Sequence, residues 1–161
     1  MADLKEAAAN LDIAEAYGLA IKAEEDGFAL YQKAIEMTDN PRAREDLGFL
    51  RDQEKGHKAY FEKLLKETGR EYKADSGSAL GQWVRENLFG PAEEALGKSA
   101  PKTYKQSLSM GISIEENSIR FYKELKKAAP AENRKVLGTI IREEKRHRKF
   151  LGAILKYSDL A

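Results

Sequence analysis

Glu24-Glu25-Asp26-Gly27-Phe28-Ala29-Leu30-Tyr31, followed downstream by Glu54-Lys55-Gly56-His57, is the stretch on which the fold turns. The second half of the chain repeats it. There Glu115-Glu116-Asn117-Ser118-Ile119-Arg120-Phe121-Tyr122 is followed by Glu144-Lys145-Arg146-His147. Glu to Tyr is seven residues in both copies, Glu to Glu is 30 and 29, and Glu to His is three. The chain has 2 histidines and both fall in this pattern. Three residues turn a helix by about 300°, so each Glu shares a face with its His. Seven residues make about two turns, which stacks each Tyr on the stripe of its Glu. Glu25, Glu116 and Glu143 sit about 100° away and should face solvent or the rim. Phase therefore selects Glu24, Glu115 and Glu144 from their acidic neighbours.

Outward from these segments, apolar residues recur at helical spacing. The first helix is expected over about 11–37, with Asp12 and Glu15 as a capping box. Its inner stripe is Ile13, Tyr17, Ala20, Ile21, Glu24, Phe28, Tyr31 and Ile35. Asn40-Pro41 caps and starts a second helix over about 41–68, stopped at Gly69. Leu47, Leu50, Glu54, His57, Phe61 and Leu64 form its stripe. The third is expected over about 101–128 and the fourth over about 131–157, with Pro130 between them. Leu108, Ile112, Glu115, Ile119 and Tyr122 face inward on the third, and Ile140, Ile141, Glu144, His147 and Leu151 on the fourth.

About thirty residues, 70–100, join the second helix to the third. Ser76-Gly77, Gly90-Pro91 and Gly97 read as breakers, and Leu80 through Phe89 as one short amphipathic helix. Trp83 and Phe89 are expected to cap the core rather than bind a cofactor. A connection this long spans a bundle, so the second and third helices could run parallel. Two antiparallel hairpins joined by one crossover is ferritin-like connectivity. The expectation is one all-α domain over 1–161, a ferritin-like four-helix bundle.

Composition agrees. Of 161 residues, 42% are hydrophobic, enough for one core, and 34% are charged, which demands polar outer faces. The formal net charge of +1 gives no basic excess for nucleic acid or an anionic membrane. The polar start, MADLKEAAANLD, lacks an apolar signal core, and no apolar run approaches a membrane span of ~20 residues. A cytoplasmic protein is the expectation. With no cysteine, disulfides and thiolate-held metals are excluded.

Six polar residues, Glu24, Glu54, His57, Glu115, Glu144 and His147, thus occupy positions that should be apolar. A buried carboxylate costs several kcal/mol unless neutralised. Four together would repel and take up protons. No Lys or Arg sits on the inner stripes beside them. Two divalent cations would balance four glutamates with both histidines neutral. One Glu from each of two helices plus Glu-x-x-His from each of the other two is the ligand set of di-iron and di-manganese carboxylate bundles. Iron is the expected metal, with manganese or zinc as alternatives because such donors select weakly among them. Tyr31 and Tyr122 are expected to hydrogen-bond ligand carboxylates.

At these residues the chain resembles the rubrerythrin branch of the ferritin-like superfamily. AIKAEEDGFALYQKA and ISIEENSIRFYKEL, each paired with Glu-x-x-His, carry the resemblance, which covers about 12–157. It implies that Glu54 and Glu144 bridge two metals, that Glu24 and Glu115 are terminal ligands, and that His57 and His147 each complete one shell. It also implies peroxide or dioxygen reduction in oxidative-stress defence, and a homodimer open to helix exchange between subunits. Two departures stand out. Rubrerythrins proper carry a four-cysteine rubredoxin-like domain, so electrons here must come from an external redox protein. They also carry an extra glutamate at the position of Ser118. Iron oxidation and storage, a structural metal bundle and, more weakly, hydroxylation of an organic substrate are the alternatives.

Overall fold

The computed structural model describes residues 3–72, 77–97 and 102–158. Those residues form helices and connections, with no strand among them. A short helix, α1 (Leu4–Ala7), precedes the first long one, α2 (Ile13–Glu36). The sequence reading missed α1. It is a single turn in a polar segment, held because Leu4 and Ala7 are buried. Asp12 caps α2 by accepting from the Ala14 and Glu15 backbone N–H groups at 2.9 and 3.2 Å. The other arm of the expected capping box turns elsewhere: Glu15 accepts from the Ser78 hydroxyl and ties α2 to the crossover.

α3 (Pro41–Glu67) starts as expected, with Asn40 accepting from the Arg42 and Ala43 N–H groups and Pro41 in the first turn. It ends at Gly69, whose φ of 68° is the left-handed conformation that glycine adopts without strain. α6 (Tyr104–Ala128) begins on a Thr103 cap, and α7 (Ala131–Tyr157) follows Pro130. The expected breaker Ser76 and the expected helix start at Pro101 lie outside the described residues.

The crossover holds a longer helix than expected. α4 (Ala79–Val84) runs through a π turn (Arg85–Phe89) into α5 (Gly90–Leu96). Gly90-Pro91 is therefore not a break. Pro91 lies at the start of α5, directly after the widened turn, where its missing N–H and its ring are tolerated. Gly97 does end the segment. Trp83 and Phe89 are buried with Val84 and Leu88 in the apolar core, as capping residues would be.

Side-chain partners fix the directions of the four long helices. Gln32 meets Arg51 and Glu25 meets Lys58, so α2 and α3 are antiparallel. Tyr31 meets Glu115 and Tyr122 meets Glu24, so α2 and α6 are antiparallel. His57 meets Glu144 and His147 meets Glu54, so α3 and α7 are antiparallel. α3 and α6 consequently run parallel, which only a full-length crossover allows. This is the ferritin-like bundle.

The apolar core lies in two parts. One contains Tyr17, Phe61, Leu64, Trp83, Phe121 and Tyr122. The other contains Tyr31, Leu47, Leu50, Leu108 and Leu151. α2 is buried more widely than one stripe predicts, because Ala16, Leu19 and Ala23 are also covered. Leu19 and Lys22 face Phe89 of the crossover, so a second face of α2 packs under it. No helix among the described residues is long and apolar enough to cross a membrane.

Candidate metal centre

Glu24 on α2, Glu54 and His57 on α3, Glu115 on α6, and Glu144 and His147 on α7 meet between the two apolar clusters. All six are buried, none more than 6% exposed. Their ligand atoms form two groups, each with every atom within 4.8 Å of the others. One group is Glu24, Glu54, His57 and Glu144, and the other is Glu54, Glu115, Glu144 and His147. Glu54 and Glu144 belong to both. Phase along each helix had picked these glutamates, and the fold brings all of them to one place.

Each histidine turns Nδ1 into the cluster. His57 Nδ1 lies 2.9 Å from Glu144 Oε1 and 3.4 Å from Glu24 Oε2. His147 Nδ1 lies 2.8 Å from Glu54 Oε1, 3.2 Å from Glu144 Oε2 and 3.5 Å from Glu115 Oε1. The rings stack, with centroids 5.9 Å apart and planes at 16°. The tyrosines behave reciprocally. The Tyr31 hydroxyl donates to Glu115 and the Tyr122 hydroxyl to Glu24, each across to the other half of the repeat.

The electrostatics show an unfinished balance. Burial pushes the Glu54 carboxyl well above its ordinary range, and Glu144, Glu24 and Glu115 push it further. Burial and the nearby Glu144 carry Glu115 up to about 8, with His147 pulling the other way. Burial alone would lower both histidines, but contacts with Glu144 and Glu24 raise His57 to about 11. Glu115 and Glu144 likewise raise His147 to about 9. Glu144 is opposed by burial and by Glu24, yet its contacts with Glu115, His147 and His57 hold it below the ordinary value. Burial, then Glu115 and Glu24 respectively, pushes the Tyr31 and Tyr122 hydroxyls well up, so both remain donors.

Four buried atoms of the cluster lack hydrogen-bond partners: Glu24 Oε2, Glu54 Oε1, Glu144 Oε2 and His147 Nδ1. His147 Nδ1 is close to carboxylate oxygens but finds none at a hydrogen-bonding angle. Orphaned polar atoms in an apolar interior are costly unless something absent from the protein satisfies them. Carboxylate oxygens and an imidazole lone pair converging on one point are what a divalent cation requires. The donor set therefore fits metal, and the cluster could hold two ions.

A family model described as Rubrerythrin matches residues 2–65 and 106–160. The chain belongs to the rubrerythrin family. The match covers nearly all of the four long helices and all six clustered residues, and leaves out the crossover. No curated protein matches this rubrerythrin-family chain. Among solved structures, a hypothetical protein from Pyrococcus furiosus is similar in fold, with a TM-score of 0.70 and 19% identity. The likeness covers 92% of this chain and 91% of that one.

Two contacts escaped the sequence reading. His57 Nε2 lies 2.6 Å from Glu143 Oε2, and His147 Nε2 lies 2.6 Å from Gln53 Oε1. Glu143 does sit at the rim, its side chain 27% exposed, but it bends back onto His57. The signal was in the repeat: Gln53 and Glu143 each immediately precede the glutamate of Glu-x-x-His. Gly27, one turn after Glu24, is also part of the site, because a Cβ there would lie 3.3 Å from Glu54 Oε2. Its counterpart after Glu115 is Ser118, which is buried.

Proposed function

We propose that this protein is a non-haem dinuclear metal protein, with iron as its metal, that reduces peroxide or dioxygen with electrons from a separate donor. The two four-residue groups sharing Glu54 and Glu144 carry this reading. In it Glu54 and Glu144 would each reach both ions, Glu24 and Glu115 would each hold one, and His57 and His147 would each complete one shell through Nδ1. Glu143 and Gln53 hold the histidines with Nε2–H outward, which fixes the tautomer. Tyr31 and Tyr122 orient the terminal carboxylates. A bound pair of ferrous ions would supply the two electrons that, with two protons, convert hydrogen peroxide to two waters.

An opening of about 300 Å³, lined by Glu24, Glu25, Phe28, Glu54, Lys55 and Lys58, reaches two of the proposed ligands. It favours a reactive centre over a sealed structural one, since a small oxidant such as dioxygen or hydrogen peroxide could enter there. Lys58 pairs with Glu25 at 2.9 Å beside it. A cleft of about 930 Å³ between α6 and α7 suits an acidic electron donor. Eight of its lining residues are basic, among them Arg120, Lys123, Arg142 and Lys145, against Asp3 and Glu124. Ile141 lines it one helical turn from Glu144. For the homodimer expected from the family, Phe49 on α3 and Phe150 on α7 are exposed and available for apolar contacts. Cytoplasmic location completes the proposal.

Stopped-flow oxidation of the ferrous protein tests the activity. Peroxide should oxidise it faster than it oxidises free ferrous ion in the same buffer. An equal rate would refute the catalytic reading and favour storage or a structural role.

A further inference from the structure

The two halves of the cluster share their main contacts, although His147 Nδ1 also lies 3.2 Å from Glu144 on its own helix. Tyr31 bonds Glu115 as Tyr122 bonds Glu24, and each histidine turns Nδ1 inward. The outward nitrogens differ. His57 Nε2 meets the carboxylate of Glu143, whereas His147 Nε2 meets the amide oxygen of Gln53, both at 2.6 Å. Gln53 and Glu143 hold the same place in the internal repeat, and each reaches the histidine of the opposite half.

We propose that Glu143 and Gln53 make the two metal positions unequal, so that the position beside His57 binds its ion more tightly and fills first. This rests on the dinuclear reading of the cluster. Both partners accept the Nε2–H bond and fix the ring equally well. Only the carboxylate adds negative charge, which raises the basicity of Nδ1 and attracts the cation through the ring. Groups of this kind alter metal affinity by about 10–100-fold. Glu143 is 27% exposed, so water screens part of its charge and the difference should sit near the lower end, about tenfold. Glu143 and Gln53 are positioning residues, since neither carries an atom inside the cluster.

The test is a cobalt(II) titration of the metal-free chain, followed by calorimetry and by proton NMR of the imidazole Nε2–H groups. Only two histidines contribute resonances. Wild type should bind two ions in two steps about tenfold apart, with the His57 resonance shifting at the first equivalent. Glu143→Gln should merge the steps by weakening the first. Gln53→Glu should merge them by strengthening the second. The double swap should reverse the order, so that His147 shifts first. Circular dichroism checks that each variant folds, and the two single variants approach equality from opposite directions. Two ions bound with an order that neither the single variants nor the swap changes would overturn this proposal and leave the dinuclear reading standing. Fewer than two ions bound by wild type would overturn both.

Discussion

Replacing Tyr122 with Phe removes one oxygen from the middle of the bundle and leaves its packing alone. The ring is 1% exposed and lies between Phe61 and Phe121, with centroids 5.2 and 5.4 Å away. A phenylalanine ring fills that space with the same contacts. What is lost is the hydroxyl that donates to Glu24 Oε1. Glu24 Oε2 has no hydrogen-bond partner and only His57 Nδ1 at 3.4 Å, so the variant leaves the carboxyl without a hydrogen bond in the metal-free protein. A hydrogen bond to a charged group contributes about 1.5–3 kcal/mol. For a chain of this length each kcal/mol moves the melting temperature by about 2–4 °C. Metal-free Tyr122→Phe should therefore melt about 3–12 °C lower than wild type. Its urea midpoint should fall at unchanged slope. Tyr60→Phe is the control, because the Tyr60 hydroxyl makes no hydrogen bond among the described residues, and it should change stability by less than about 0.5 kcal/mol. If both variants leave the midpoint where it was, the hydroxyl does not satisfy Glu24 and the assigned role of Tyr122 is wrong.

Gly27→Ala should trade binding for stability. Alanine is favoured in a helix by about 1 kcal/mol, but its methyl would press on Glu54 Oε2 at 3.3 Å. Thermal melts of the metal-free variant should be level with or above wild type, while calorimetric titration shows weaker metal binding. The metal-free protein should lose stability as pH rises. Glu115 at about 8, His57 at about 11 and His147 at about 9 all lie above their ordinary values of 4.5 and 6.5. Groups raised on folding stabilise below their unfolded pKa and lose that contribution as pH climbs through the folded one. Glu144 is lowered and acts oppositely, but below its ordinary value of 4.5, so the window from about pH 6.5 to 9 is clear of it. Melts at pH 6.5 and 9 should show the decline without metal and a reduced decline with it. Glu54→Gln should weaken binding of both ions, while Glu24→Gln weakens one, and a metal titration of the pair distinguishes shared from single ligands.

The fold was legible because polar residues interrupt the apolar stripes at matching phase in two halves. Glu24 with Glu115 and Glu54 with Glu144 identify the inner faces as firmly as any run of leucines. The length of the crossover fixed the connectivity, since a parallel α3 and α6 cannot be joined by a tight turn. What sequence hid was contact made off the main stripe. Ala16, Leu19 and Ala23 gave no second period strong enough to reveal a buried face, because alanine is common on exposed helices as well. Gly90-Pro91 reads as a stop under local rules, and only the π turn before it lets the helix continue. Leu4 and Ala7 are too few to declare a helix without the surface they pack on. Glu143 was set aside because helical phase turns it about 100° from Glu144, yet a long side chain at the rim bends back to His57. Phase locates a side chain's root, and three rotatable bonds carry the carboxylate the rest of the way.

Anomalous diffraction from crystals of the zinc-loaded chain decides whether two cations share Glu54 and Glu144 in the middle of the bundle. Two buried peaks should appear about 3.5–4 Å apart. One should lie about 2.0–2.2 Å from atoms of Glu24 and His57, the other from Glu115 and His147, with Glu54 and Glu144 reaching both. A single buried peak, or zinc found only on surface carboxylates, would contradict that sharing.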